Sequence, residues 1–306
     1  MTIAYITHPA CRLHEMGEGH PESPARLEAI EDQLLATGLE FAICRHDAPA
    51  VTREQLLRIH DPRYVDEIFA LSPASGLYWL DSDTAMNPHS LEAARHAAGA
   101  VVYAVDLVLG GEAECAFCAV RPPGHHAERA AAMGFCFFNN VAVGAAHAFA
   151  RYGLQRIAIV DFDVHHGNGT EDIFRDDVRV LFCSSFQHPL YPYSATDLTG
   201  THQVKTPLVA GTGSQAFRER IRDEWLGALD AFRPELVLVS AGFDAHWQDE
   251  VADLNLTEQD YGWITRELHQ LARRHARGRI ISVLEGGYSL PGLARSVGAH
   301  LNALLG

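Results

Sequence analysis

The stretch RIAIVDFDVHHGNG (156–169) joins a short apolar run to a cluster of ionisable side chains and two glycines. The apolar, β-branched run is typical of a buried strand, and the glycines argue against one helix through the whole stretch. Residues two apart in an extended chain project to the same side, so Asp161, Asp163 and His165 share one face. Two carboxylates and an imidazole form a partial ligand set for zinc or a similar dication. The alternative is a metal-free aspartate–histidine network, which would bury two neighbouring carboxylates at high cost.

Six further segments carry similar apolar runs and are predicted strands: 2–8, 40–46, 114–120, 178–184, 235–241 and 279–285. Most are apolar on both faces, which favours a parallel sheet covered by helices on both sides. Helical patterns separate the runs, among them one from Ser23-Pro24 to Gly38, one over 89–109 and one that starts at Thr257. This alternation predicts a single α/β domain (1–306) with three α/β/α layers and a mostly parallel central sheet, with a closed β/α barrel as the alternative.

Five of the predicted strands are followed by unusual polar or glycine-rich segments: RPPGHH (121–126), DFDVHHGNG (161–169), SSFQHPLYP (184–192), GFDAH (242–246) and EGGY (285–288). Open α/β sheets bind ligands at the carboxyl ends of their strands, so we expect the active site at this edge. Asp244 is the best candidate for a third metal ligand, because it too follows an apolar strand. His246 competes for that role, and a helix cap is the plainer interpretation of Asp244.

Composition limits the function classes that remain. Of the 306 residues 47% are hydrophobic, and 24 Lys and Arg against 39 Asp and Glu leave a formal charge of −15. Such a surface disfavours binding to nucleic acid or to anionic membranes. The N-terminus MTIAYITHPA lacks a secretory pattern, and no apolar run reaches the roughly 20 residues of a membrane span. Cys115 and Cys118 lie within a predicted buried strand, which favours core thiols in a reducing compartment; we therefore expect a cytoplasmic protein.

Five motifs together resemble a known family. RPPGHHA (121–127), GFCFFNN (134–140), VDFDVHHGNGT (160–170), SAGFD (240–244) and EGGY occur in this order in the zinc-dependent histone deacetylases and their bacterial relatives, the acetylpolyamine amidohydrolases. The chain is similar to a bacterial member of this arginase/deacetylase superfamily. GHPESPARL (19–27) resembles the class II branch. Five ordered motifs are far more specific than any one of them.

The resemblance implies roles for individual residues. Asp163, His165 and Asp244 match the ligands of one zinc ion, His125 and His126 match the catalytic histidine pair, and Tyr288 matches the tyrosine that stabilises the transition state. Asp161 matches the residue that orients His125. A structural potassium ion would use Asp161, Ser184 and Ser185 together with backbone oxygens. A second monovalent ion would use backbone carbonyls around Phe174, Asp177 and Val180.

The resemblance also implies a narrow tunnel for the substrate. Phe135 and Tyr191 match its aromatic walls, with Gly134 at its side, and Asp83 lies where relatives anchor the substrate backbone. Gly287 is expected beside the substrate, and the pair Gly286-Gly287 would let the loop carry Tyr288 close to it. Phe186 stands where many relatives have histidine, and we attach no function to that change.

One departure concerns the second histidine of the pair. Some family members support it with an aspartate, whereas the matching residue here is Asn168, as in class II. Only His125 then has a carboxylate partner, so His126 is expected to stay neutral and to act as general base and then acid. A base is needed because two aspartate ligands nearly cancel the charge of a dication, which then acidifies its water less.

The leading functional hypothesis is zinc-dependent removal of an acetyl or other acyl group from the side chain of a lysine, in a peptide or protein. Acetylpolyamine deacetylation is the alternative. In the family a glutamate marks the polyamine-selective eukaryotic branch, and its position aligns with Val251 here, which weakly favours acyl-lysine. A two-manganese ureohydrolase and a non-enzymatic acyl-group sensor are the hypotheses from other classes. The sequence leaves the physiological substrate and the oligomeric state open.

Overall fold

The computed structural model describes residues 3–194 and 202–306. Eight of its strands form one sheet in the order β2-β1-β5-β10-β9-β6-β7-β8, and all seven pairings in that sheet are parallel. The strands are β1 (Ile3–Thr7), β2 (Ile43–Asp47), β3 (Tyr78–Trp79), β4 (Ala85–Met86), β5 (Cys115–Cys118), β6 (Ile157–Asp161), β7 (Val180–Gln187), β8 (Gln203–Leu208), β9 (Leu236–Ala241) and β10 (Ile280–Leu284). β3 and β4 form a separate antiparallel hairpin.

Helices connect the strands of the large sheet. The α-helices are α1 (Ala25–Thr37), α2 (Arg53–Leu56), α3 (Pro62–Leu71), α4 (Ser90–Gly110), α5 (Asn140–Tyr152), α6 (Asn168–Phe174), α7 (Ser214–Ile221), α8 (Gly227–Phe232), α9 (Glu258–His275) and α10 (Leu290–Leu305). Short 3-10 helices cover Pro9–Arg12 and Leu39–Ala42, and one π-helical turn covers Arg222–Leu226.

The sheet has two edges, β2 and β8, so the alternative of a closed barrel is wrong. The five neighbouring central strands are buried along their whole length: β5, β10, β9, β6 and β7. Such strands need cover on both faces. α4 packs with α5, whereas α10 packs with both α1 and α9. The predicted three-layer α/β fold with a mostly parallel sheet is confirmed.

Local signals set the ends of several helices. α1 ends at Gly38, whose φ of 72° lies in the left-handed region that closes helices. α9 follows Thr257, where Oδ2 of Asp260 accepts the backbone amide hydrogen of Thr257 at 2.8 Å and its hydroxyl hydrogen at 3.0 Å. α6 begins at Asn168, so the turn after β6 is short and Gly169 lies within a helix.

α4 is long and apolar enough to cross a membrane by length and composition alone. Its apolar window is 72% buried, and the helix packs against β1, β5 and β10. We therefore treat it as a core helix. All six cysteines are free thiols; five are buried and Cys44, on the edge strand β2, is exposed. Cys115 and Cys118 are buried in β5, as predicted for core thiols, and burial raises the pKa of Cys115 to about 12.

The parallel register brings the predicted polar segments to one edge of the sheet. Asp161, the last residue of β6, pairs with Ser240 of β9 on one side and with Ser184 of β7 on the other. Because neighbouring parallel strands end together, the segments that follow β5, β10, β9, β6 and β7 meet at this carboxyl edge.

Candidate active site

A cavity of about 240 Å³ opens at the carboxyl edge of the central strands. It is lined by Asp83, Pro123, His125, His126, Gly134, Phe135, His165, Tyr191, Val251, Gly286 and Tyr288. Most of these residues belong to segments that follow β5, β6, β7 and β10, which supports the expected location of the site.

Three neighbouring side chains can hold a metal ion, and one of them, His165, lines this cavity. One ligand atom from each of Asp163, His165 and Asp244 lies within 4.8 Å of the others. Nδ1 of His165 lies 3.0 Å from Oδ1 of Asp163 and 3.3 Å from Oδ2 of Asp244. His246, the competing candidate from the sequence, instead faces Glu258 with its Nε2 at 3.3 Å.

Backbone amides orient the two carboxylates. Asp163 Oδ2 accepts the amide hydrogen of Gly286 at 2.9 Å, and Asp244 Oδ1 accepts that of Val164 at 2.9 Å. Asp244 Oδ2 is buried and accepts no hydrogen bond within the part of the chain that the structure describes. Burial and the neighbouring Asp163 carboxylate raise the pKa of Asp244 to about 6, because two carboxylates share this space. A buried, unpartnered carboxylate oxygen next to an imidazole and a second carboxylate fits a zinc ion.

Two glycines allow the close packing of this site. A Cβ on Gly286 would clash with the carboxylates of Asp244 and Asp163. Gly134 has a φ of 54°, and a Cβ there would clash with the ring of His126. Larger residues at these two positions would push the carboxylates of Asp163 and Asp244 or the ring of His126 out of place.

The two neighbouring histidines have different partners. Nδ1 of His125 lies 2.9 Å from Oδ2 of Asp161, whereas Nδ1 of His126 lies 2.7 Å from Oδ1 of Asn168. The ring centroids are 4.0 Å apart. The predicted asymmetry of the pair is therefore present in the hydrogen bonds: one ring meets a carboxylate and the other an amide.

The electrostatic surroundings shift the pKa values of the two rings in opposite directions. Burial lowers the pKa of His125, but the carboxylates of Asp163 and Asp161 outweigh it and hold this pKa well above the usual range. Burial, and after it the neighbouring His125 and His165, hold the pKa of His126 well below its usual range. His125 therefore favours the imidazolium form and His126 the neutral form.

Tyr288 lies on the wall of the cavity, on the loop between β10 and α10. Its ring meets Phe135 edge-on at 6.0 Å, and the Arg26 guanidinium stands 5.0 Å from its centroid. Burial raises the pKa of Tyr288 well above its usual range, which keeps its hydroxyl protonated and able to donate. The Asp249 carboxylate accepts the backbone amide hydrogens of Tyr288 and Ser289 at 2.6 and 2.9 Å.

The residues expected around a substrate tunnel mostly line the cavity. Phe135 and Tyr191 are both on its wall, with Gly134 and Asp83. Tyr191 meets the ring of His126 edge-on at 5.1 Å. Gly287 does not line the cavity; its neighbour Gly286 does, and the Gly287 carbonyl oxygen accepts a hydrogen bond from Arg26 Nε at 2.7 Å.

The predicted monovalent ion sites are partly assembled. Asp161 and Ser184 are paired across neighbouring strands, and Ser185 is buried beside them. Ser184 Oγ also lies 2.9 Å from Nδ1 of His166. At the second place, the carbonyl oxygens of Phe174 and Asp177 already accept the amide hydrogens of Asp177 and Val180. The potassium site and the second monovalent-ion site both remain predictions.

Sequence inspection missed two buried carboxylates that hold the active-site loops. Glu285 Oε2 accepts the amide hydrogens of Gly124 and His125 at 2.7 and 3.1 Å, and Oε1 accepts the Ser240 hydroxyl. Glu285 follows an apolar strand, so the signal that pointed to Asp161 and Asp244 was available for it too. Asp249 lies inside a loop and carries no comparable signal.

The open parallel sheet places this cavity at its carboxyl edge, where α/β proteins bind their ligands. The chain belongs to the histone deacetylase family, because the histone deacetylase domain matches residues 20–304. The family predicted from the five motifs is confirmed.

Individual relatives agree with this assignment. A histone deacetylase-like amidohydrolase of Pseudomonas aeruginosa is 41% identical over 280 residues, which cover 89% of this chain and 73% of that protein. The polyamine deacetylase HDAC10 of Mus musculus is 40% identical over 308 residues, which cover 93% of this chain and 45% of that protein. The crystal structure of the HDA15 HD domain matches with a TM-score of 0.94 at 34% identity, covering 99% of this chain and 88% of that one.

Proposed function

We propose that this protein is a zinc-dependent deacetylase that removes an acetyl or other acyl group from the side-chain amine of acyl-lysine. The observation that carries the proposal is the cavity, where His165 of the Asp163-His165-Asp244 cluster lines the wall together with His126, whose ring favours the neutral form, and Tyr288, whose hydroxyl stays protonated. Family membership supports amide hydrolysis as the chemistry.

Asp163, His165 and Asp244 would hold the zinc ion. A zinc ion bound by three protein ligands polarises a carbonyl group and makes water a better nucleophile. The two carboxylate ligands limit that activation by offsetting the positive charge, so the protein must supply a base.

His126 is the base in this proposal. Its Nδ1 faces Asn168, so Nε2 is the nitrogen left for the cavity, and the neutral ring can take a proton from the attacking water. The same proton then goes to the leaving lysine amine. His125, kept positive by Asp161, supports the negative charge that develops nearby.

Tyr288 donates a hydrogen bond from its hydroxyl to the oxygen that becomes negative as water attacks the amide carbon. Its raised pKa keeps that hydrogen in place at neutral pH. The collapse of the tetrahedral intermediate breaks the C–N bond and releases a carboxylic acid and the free amine.

The cavity walls favour a long apolar chain. Phe135 and Tyr191 flank it, and Val251, the residue aligned with the family's polyamine gatekeeper, lies on its wall as an uncharged side chain. These features support acyl-lysine as the substrate. Asp83 supports acetylpolyamine as the second candidate, since this carboxylate on the cavity wall would attract an ammonium group, and one relative is named a polyamine deacetylase.

A two-manganese ureohydrolase has less support. Among residues 3–194 and 202–306, one cluster of three or more metal-binding side chains is found, and it has no additional carboxylate to bridge a second ion. We include the structural potassium ion at Asp161, Ser184 and Ser185 in the proposal, since the two strands bring these residues together.

The test measures turnover and metal content together. The purified protein is assayed on an acetyl-lysine peptide, longer acyl-lysines, acetylputrescine and acetylspermidine, and zinc is counted per chain. We expect one zinc per chain and the highest kcat/KM on an acyl-lysine. Asp163→Ala should lose the zinc and the turnover while remaining folded, whereas the exposed Asp176→Ala should keep both. Two manganese ions per chain, or full activity of Asp163→Ala, would overturn the proposal.

A further inference from the structure

The amide of Asn168 bridges two groups of different chemistry. Its Oδ1 lies 2.7 Å from Nδ1 of His126, and its Nδ2 donates to Oε1 of Glu128 at 2.9 Å. The sulfur of Met133 accepts from the same Nδ2 at 3.2 Å. Glu128 lies two residues beyond His126 in the chain, so His126, Asn168 and Glu128 form a closed ring of contacts.

The groups around Nδ2 decide which way the amide points. An asparagine side chain can turn over and exchange its donor and acceptor ends, because the two are nearly the same size. A carboxylate and a thioether sulfur accept hydrogen bonds and have no hydrogen to give. Glu128 and Met133 therefore hold the amino end on their side and leave the carbonyl oxygen facing His126.

The carbonyl oxygen of Asn168 in turn decides where His126 carries its hydrogen. An oxygen that only accepts requires a donor, so Nδ1 of the neutral imidazole keeps the hydrogen and Nε2 keeps a lone pair. The ring of His126 lines the cavity. The lone pair that a general base needs is thus on the nitrogen that Asn168 does not occupy.

We propose that Glu128 is a positioning residue that fixes the tautomer of His126 by fixing the orientation of the Asn168 amide. The inference rests on the proposed function in one respect, the role of His126 as base. His125 needs no such residue, because both oxygens of its partner Asp161 are acceptors in every orientation.

The backbone around Glu128 is held independently of its side chain. The Glu128 amide donates to the carbonyl oxygen of Ala131 at 2.9 Å, and the Glu128 carbonyl oxygen lies 3.0 Å from Nδ1 of His60. The side chain is half-buried, so substitutions there should leave the turn intact.

Three substitutions separate the proposed role from a general structural one. Glu128→Lys offers a donor in place of an acceptor, turns the amide over and moves the hydrogen of His126 to Nε2. We expect kcat to fall by about 10²–10⁴, as for loss of a general base or a wrong tautomer, with little change in KM. Glu128→Gln can still offer an oxygen and should lose about tenfold or less. Glu112→Lys, the same charge change on an exposed residue beyond the carboxyl end of α4, should have no effect.

In the Asn168→Asp background, the effect of Glu128→Gln on kcat should have the opposite sign. An aspartate at 168 accepts from His126 in either orientation and is repelled by Glu128. Glu128→Gln should therefore lower kcat in the wild type but raise it in Asn168→Asp. A loss of kcat in both backgrounds would mean that Glu128 is only structural, and the proposal would fall.

The tautomer itself can be observed without turnover. Nitrogen NMR of protein labelled with ¹⁵N-histidine distinguishes a protonated from an unprotonated ring nitrogen, and His126→Ala identifies the signal. We expect hydrogen on Nδ1 in the wild type and on Nε2 in Glu128→Lys. An unchanged tautomer in Glu128→Lys would overturn the inference. Inactivity of the wild type on every amide, with the tautomer shift present, would overturn the proposed function alone.

Discussion

The side chains of His125 and His126 are neighbours in sequence and in space, yet they meet different groups. The Asp161 carboxylate beside His125 favours a charged ring, and the Asn168 amide beside His126 does not. A charged imidazole cannot accept the proton of water, so the two residues are not interchangeable.

His126→Ala should therefore lose more turnover than His125→Ala. We expect kcat to fall by about 10²–10⁴ when the general base is removed, and by less when the supporting charge is removed. Steady-state kinetics on an acetyl-lysine peptide, with zinc content measured in both variants, makes the comparison. A greater loss in His125→Ala would reverse the assignment.

Asn168→Asp tests the different roles of His125 and His126 through the pH dependence of the rate. A carboxylate beside His126 raises the pKa of that ring, so the ring stays protonated to a higher pH and the acidic limb of the pH–rate profile should move upward. An acidic limb that stays at the wild-type pH would contradict the role of His126 as base.

The raised pKa of Glu285 predicts that the stability of the fold depends on pH. Burial raises its pKa from the ordinary 4.5 to about 7, so between these values the folded chain holds a proton that the unfolded chain has released. Its stabilising contribution is complete below about pH 4.5 and is lost as the pH rises through about 7. The unfolding free energy of the wild type should fall relative to Glu285→Gln by up to about 1.4 kcal/mol per pH unit in this window. Denaturant titrations from pH 5.5 to 7.5 measure it, and a constant difference would show that Glu285 is ionised throughout.

At the scale of elements, the loop from β10 to α10 is fixed from two sides. Glu285 ties its start to the segment that carries His125, and Asp249 ties the backbone of Tyr288 and Ser289 to the loop after β9. The position of the Tyr288 hydroxyl therefore depends on carboxylates that do not line the cavity themselves.

Asp249→Ala should act through Tyr288. Tyr288→Phe removes one oxyanion donor, which typically costs about 10²–10³ in kcat. Asp249→Ala lets the donor move and should cost about tenfold to 10², whereas in the Tyr288→Phe background it should cost no more than about twofold. Equal losses in both backgrounds would mean that Asp249 acts elsewhere, and thermal unfolding of each variant shows whether the fold is kept.

Strand prediction succeeded where burial is strong on both faces. The predicted strands at 114–120, 156–162, 235–241 and 279–285 match β5, β6, β9 and β10 within two residues at either end. β8 was missed, because this edge strand is mostly half-buried and contains Lys205 and Pro207. The two-residue strands of the β3–β4 hairpin carry too short a pattern to detect. Segment 40–46 was placed early, since a 3-10 helix covers Leu39–Ala42.

Candidate site residues were predictable where they follow strands. Asp161, Asp163 and Asp244 could be grouped because parallel strands end together. Asp249 and Glu128 could not be found in the same way. In the sequence, a loop carboxylate that binds other parts of the chain cannot be distinguished from a loop carboxylate that faces solvent. The role of Asp249 depends on its hydrogen bond to the distant backbone of Tyr288. The role of Glu128 depends on its hydrogen bond to the Asn168 amide, which in turn contacts His126.

At the scale of the whole molecule, the formal charge of −15 should influence which substrates arrive quickly. Opposite charges raise association rates, and salt screens the effect. Raising NaCl from about 0.05 to 0.5 M should lower kcat/KM for an acetyl-lysine peptide flanked by lysines about three- to tenfold. The same peptide flanked by neutral residues is the control and should change little. Equal salt dependence for both peptides would rule out steering.

The exposed thiol of Cys44 has a practical consequence. It lies on the edge strand β2, while the cavity opens at the carboxyl ends of the central strands, and the other five thiols are buried. A maleimide should therefore react with the native chain at one point, without any engineered handle. Beads or sensor chips coated through that point would carry molecules in a uniform orientation with the cavity accessible from solution.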